Sequence, residues 1–160
     1  MVSIFAQADL TVSREQVSAW LKHEDLDGFD LLEDEQLAYF LNGFINLKRG
    51  KKEGVQPVIE KRLSNNAIFR KLRIALDLKD TDILAMMDLA DFSLSKHELS
   101  AFFRKEGHKN YRACQEQVLR QFLRGMQFHY RPEQKEAQKG KPSQAKPSSK
   151  PHKNSSIWNK

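Results

Sequence analysis

ADLTVSREQVSAWLKHE (8–24) and ADFSLSKHELSAFFRKE (90–106) sit at matching places in two longer stretches, 2–50 and 84–132, which align without a gap at a shift of 82 residues. Eleven of the 49 aligned pairs are identical, among them Ser13/Ser95, Leu37/Leu119, Phe40/Phe122 and Gly43/Gly125. Others are conservative, such as Trp20/Phe102 and Phe29/Tyr111. Self-similarity at a fixed offset marks a duplicated supersecondary unit.

Each stretch announces a helix in the same way. Ser13-Arg-Glu-Gln16 and Ser95-Lys-His-Glu98 are capping boxes, in which the serine oxygen takes the amide three residues on and the Gln or Glu reaches back. Apolar residues then recur at helical spacing: Val17, Trp20 and Leu21 in one copy, Leu99, Phe102 and Phe103 in the other. These predict helices over about 12–21 and 95–105. A longer helix follows in each, with stripes Leu37, Phe40, Leu41, Phe44 and Leu119, Phe122, Leu123, Met126. Short helices are expected before the capping boxes, about 2–9 and 82–90. A further one, about 65–77, carries Ile68, Leu72, Ala75 and Leu76 on one face.

The expected fold is therefore all-α, a tandem duplication of a four-helix unit. Its parts are a first repeat (1–47), a polar connector (48–63), a second repeat (64–131) and a disordered Lys/Pro/Ser-rich basic tail (132–160). The alignment places Met1 opposite Ile83, inside a helix, so the first copy is expected to lack its first helix. Coding sequence upstream resembling NNAIFRKLRIALDL would restore it. Glycine inside a helix costs about 1 kcal/mol against alanine. Its recurrence at Gly43 and Gly125 therefore points to close backbone packing.

Charge is unevenly spread. Residues 1–47 hold Arg14 and Lys22 against nine acids, a net −7, while 48–131 carry +8 and 132–160 carry +5. No apolar run is long enough to span a bilayer, the N-terminus has no secretory pattern, and the single cysteine, Cys114, suits a reducing compartment. A cytoplasmic location without membrane contact is the expectation. Cys114 aligns with Leu32 and reads as a small buried hydrophobe. No metal or cofactor is expected: the five histidines lack ligand spacing, and neither a P-loop nor a GxGxxG motif occurs. With no catalytic constellation visible, the protein is read as a non-enzymatic binder.

INLKRGKKEG (45–54), EKRLSNNAIFRKLRIALDLKDTDIL (60–84) and SKHELSAFFRKEGHKNYRACQEQVLRQFLRGM (95–126) carry a resemblance. Over about 1–131 the chain resembles the YehS-like family, uncharacterised bacterial cytoplasmic proteins with two tandem copies of a domain of unknown function. The resemblance implies the fold, and a first copy that ordinarily begins with an N-N-x-x-x-x-x-L-R helix. It implies no activity, cofactor or catalytic residue.

What remains is cationic. RNA or DNA is the expected ligand, held by phosphate contacts that need only placed cations. The candidate residues are Arg70, Lys71 and Arg73 of the 65–77 helix and Lys96 and Arg104 of a helix-turn-helix-like element. Lys109 and Arg112 of the loop His108–Arg112 follow, then Arg120 and Arg124 on one face of the last helix. Tyr111 offers a ring for stacking on a base or, as the partner of Phe29, for anchoring the loop. The alternative is a protein-interaction role, homodimer or helix-donating partner, filling an open apolar groove on the first repeat.

Overall fold

A computed structural model describes residues 1–54 and 56–134; the expected tail lies outside the described residues from 135 onward. The described chain is all-helical, with seven helices and no strand. They are α1 (Val2–Ala6), α2 (Arg14–Trp20), α3 (Asp34–Arg49), α4 (Asn65–Ala75), α5 (Asp80–Leu89), α6 (Lys96–Phe102) and α7 (Glu116–Tyr130). α2 and α6 are shorter than their apolar stripes suggested. α6 ends at Phe102, so Arg104 lies in the following turn, and α3 runs on to Arg49, inside the expected connector.

The 82-residue shift holds at atomic detail. Ser13 and Ser95 both accept from the amide three residues on, Gln16 and Glu98, and both capping boxes are complete. After α1 and α5 the chain turns through Asp9 (φ 62°) and Asp91 (φ 56°). Leu10 N then donates to Phe5 O and Phe92 N to Met87 O. A left-handed aspartate closing a helix in this way does what glycine usually does, because its short polar side chain tolerates that conformation. Further on, Asp30 N donates to Ala19 O and Arg112 N to Ala101 O. α1 packs on α3 as α5 packs on α7, with Gly43 against the backbone of Ile4 and Gly125 against that of Met86.

Two cores result. The larger gathers Phe69 and Leu72 of α4, Ile83, Met86 and Met87 of α5, and Leu99, Phe102, Leu119 and Phe122 from α6 and α7; Leu41 of α3 joins it. The smaller is Phe5, Val12 and Val17 with Trp20, Tyr39 and Phe40 against them. α4 lies between α3 and α7 and joins the halves. Arg49 of α3 pairs with Asp77 at 3.1 Å, and Asp34 accepts from Leu63 N at 3.0 Å. Among the described residues no helix is long and apolar enough to cross a membrane.

Candidate nucleic-acid interface

The two asparagines that open α4 shape the neighbouring loop. Asn66, 5% exposed, donates through Nδ2 to the carbonyls of Phe102 and Arg112, both at 2.9 Å, and accepts from Cys114 N at 2.8 Å. Asn65 Nδ2 donates to Cys114 O at 3.0 Å. One amide thus satisfies three backbone groups, and the two in buried bonds, Phe102 O and Cys114 N, would each otherwise carry a desolvation cost of about 1–3 kcal/mol. The end of α6 and the segment leading into α7 are locked together, and Arg112 is fixed at its backbone.

That lock builds one wall of an open groove of about 500 Å³, lined by His97, Glu98, Ser100, Ala101, Arg104, Lys109, Asn110, Tyr111 and Arg112. Arg104, Lys109 and Arg112 are exposed and Tyr111 is half-buried. Glu98 is the single carboxylate of the lining, and it is already engaged. Ser95 donates to it from Oγ at 2.6 Å and from its amide at 3.0 Å. Those bonds from Ser95, with a smaller contribution from the nearby Arg112 charge, hold its carboxyl below the ordinary range. The lining therefore presents three cations, an imidazole, an amide and a phenol against one carboxylate, of which Oε2 caps α6.

Three of the nine candidate cations meet in this groove: Arg104, Lys109 and Arg112. Lys96 is exposed one residue before His97, outside the lining. The α4 trio lies outside this lining and makes contacts within the fold. Arg70 donates to the carbonyls of Phe103 and Arg104 at 3.3 Å, bracing the turn from which the Arg104 side chain projects. Lys71, 12% exposed at its side chain, pairs with Glu60 at 2.8 Å and donates to Asn42 Oδ1 at 2.5 Å. Arg73 pairs with Asp80 at 2.8 Å and lies over the Phe103 ring, 4.6 Å from its centroid. On α7, Arg120 pairs with Glu116 one turn earlier, and Arg124 stands 5.3 Å over the Phe128 ring; neither lines the groove.

Other readings meet the structure as follows. Cys114 is 5% exposed, and burial pushes its thiol up to about 11, as suits a packing residue. Among the described residues no group of three or more His, Cys, Asp or Glu is placed to hold a metal ion. Sequence reasoning missed the clamp by Asn66. The available signal was a second polar residue following the N-cap Ser64 at a position that the apolar stripe of α4 makes interior.

Residues 1–50 and 65–131 match a family described as a protein of unknown function, DUF1456. The chain is 44% identical over 128 residues to a protein of Escherichia coli (strain K12) described as "Uncharacterized protein YehS", covering 79% of this chain and 81% of the relative. No solved structure matches.

Proposed function

The chain belongs to the DUF1456 family, and we propose that it is a binding protein for nucleic acid, engaging the phosphate backbone through the groove between α6 and the 104–112 segment. The observation that carries this reading is the convergence of Arg104, Lys109 and Arg112 on one open surface, three cations against the single carboxylate of Glu98 in its lining. Guanidinium forks suit phosphate oxygens in pairs, and a lysine adds a mobile point charge. Tyr111 and Asn110 stand in the same lining, where a base brought in with its phosphate finds a ring face and an amide. The net +8 of residues 48–131 and +5 of 132–160 favour encounter with a polyanion over a long range. The reading assigns binding and no catalytic step. Its natural setting is the cytoplasm, where nucleic acid and a lone reduced cysteine coexist.

Fluorescence anisotropy of a labelled single-stranded oligonucleotide, DNA and RNA in turn, tests it. Three backbone contacts to a single strand give a log–log salt slope of about −2. Arg104→Glu with Arg112→Glu should abolish the anisotropy change at moderate salt. Binding that is absent in the wild type, or that survives the double reversal, overturns the reading.

A further inference from the structure

The groove that carries Arg104, Lys109 and Arg112 takes in the C-terminal end of α6. A helix C-terminus ordinarily repels an anion, because its last carbonyls lack partners and form the negative end of the dipole. Here the carbonyls of residues 100–104 each have a donor. Ser100 O accepts from Phe103 N and Ala101 O from Arg112 N, both at 3.2 Å, and Phe102 O accepts from Asn66 Nδ2 at 2.9 Å. Phe103 O and Arg104 O both accept from Arg70 Nη2 at 3.3 Å, which also sets a guanidinium charge behind the turn.

The positive charge of the lining is concentrated rather than drawn out into a track. Three cations face Glu98 alone, leaving two positive charges in excess. Beyond the lining, Arg73 pairs with Asp80 and Arg120 with Glu116, and residues 1–47 carry −7. The first repeat reverses the pattern on a matching backbone, since the Asp30–Ala19 hydrogen bond repeats the Arg112–Ala101 bond. Shifted by 82 residues, Lys109 becomes Asp27, Arg112 becomes Asp30 and His97 becomes Glu15. Arg104 becomes Lys22, whose ammonium donates to Asp27 O at 2.9 Å. An internal phosphodiester brings one negative charge to such a site. A terminal phosphomonoester brings about −1.5 to −2 near neutral pH and three acceptor oxygens, which matches the excess far better.

We propose that the groove is a terminal-phosphate site, holding the phosphomonoester at one end of a nucleic-acid strand. Arg104 and Arg112 supply guanidinium forks and Lys109 a third donor, while the first base meets the Tyr111 ring. The proposal rests on the nucleic-acid reading above and narrows it from any stretch of backbone to a strand end. Lys96 and Lys105, exposed outside the lining, are left for the phosphates that follow. The first repeat, with Asp27 and Asp30 at the matching positions, takes none, so each chain binds one strand end.

The probes are short 3′-labelled single strands that differ only in bearing a 5′-phosphate or a 5′-hydroxyl, and a reciprocal 5′-labelled pair differing at the 3′ end. Titrated with the full chain, one pair should favour the phosphate about 10–100-fold, and the pair that does so names the end. Lys109→Gln with Arg112→Gln, both at exposed positions, should abolish the preference with the thermal midpoint nearly unchanged. Lys96→Gln should instead weaken both members of the pair alike. Equal binding of phosphate and hydroxyl ends by the wild type overturns the terminal site and leaves the nucleic-acid reading standing, whereas no binding of any strand overturns both. A preference that survives the double substitution puts the phosphate elsewhere and overturns the proposal too.

Discussion

A β-carbon built on Gly125 would lie 1.9 Å from the carbonyl oxygen of Met86, and one on Gly43 would lie 1.9 Å from that of Ile4. The obstacle is helix backbone, which cannot swing aside as a side-chain end does. Alanine gains about 1 kcal/mol in helix propensity, but separating α5 from α7 disturbs a packed core, and overpacking of this kind costs about 1–3 kcal/mol. The clash outweighs the propensity. Gly125→Ala should lower the thermal midpoint by several degrees in circular dichroism. Gly43→Ala should lower it less, since five-residue α1 borders only the smaller core and has more freedom to shift. A midpoint raised by either substitution would show that the interhelical spacing is not set by these glycines.

Asn66 makes three hydrogen bonds to backbone, two as donor and one as acceptor. Asn66→Ala strands two carbonyls and an amide near the main core and should cost about 2–4 kcal/mol, measured by urea denaturation at neutral pH. Asn66→Asp keeps the acceptor for Cys114 N but turns a carboxylate oxygen toward the carbonyls of Phe102 and Arg112. Its neutral acid form can donate, so folding raises its pKa. The substituted protein should be relatively more stable in mild acid and lose that advantage as pH rises through the carboxylate range. A pH-independent difference between Asn66→Asp and wild type would mean that the donor role is unimportant.

Lys71 separates structure from binding. Its ammonium is largely enclosed and held by Glu60 and Asn42. Glu60→Ala leaves that cation with a single neutral acceptor and should cost about 1–3 kcal/mol. Lys71→Met should cost a similar amount, because it removes the enclosed charge but strands Asn42 Oδ1 on a residue only 8% exposed, along with the Glu60 carboxylate. Oligonucleotide affinity of Lys71→Met should equal that of the wild type, whereas Arg112→Glu should lose affinity with its thermal midpoint nearly unchanged. Equal losses in both variants would place Lys71 at the ligand after all.

The helical architecture was legible because the duplication supplied a second reading of the local signals outside α4. Ser13 and Ser95, or Gly43 and Gly125, each confirm the other's role before any coordinates. Boundaries were less legible: Arg104 continues the apolar–polar rhythm of α6, yet the chain leaves the helix after Phe102 so that Asn66 can take its carbonyl. The basic residues were the hardest to assign. Arg70, Lys71 and Arg73 look like a cationic helix face in sequence. Their engagement with Phe103, Glu60 and Asp80 depends on contacts that reach back to the 50–63 segment or forward to α5 and α6, which no local pattern records. Arg104 and Arg112 are eight residues apart, and only the turn between them makes them neighbours.

Cys114 allows a test of how tightly the Asn66 clamp closes. Its thiol is enclosed, donates to Gln115 O at 3.7 Å, and is pushed by burial from an ordinary 9.0 up to about 11. The thiolate is the reacting species, so at pH ~8 an aromatic disulfide should label the folded protein far more slowly than the urea-unfolded chain. The same shift has a stability consequence. Because the folded state favours the neutral thiol, its contribution is fully present below the ordinary thiol pKa and is lost as pH rises from about 9 toward 11. Lysines and tyrosines also titrate there, so the slope is read as the difference between wild type and Cys114→Ala. The wild type should lose stability relative to the variant across that window and hold a constant offset below pH ~8. Asn66→Ala, by freeing the Cys114 amide, should raise the labelling rate even under conditions where the protein remains globally folded. A rate unchanged by that substitution would mean that the thiol is shielded by the apolar core alone, and not by the asparagine.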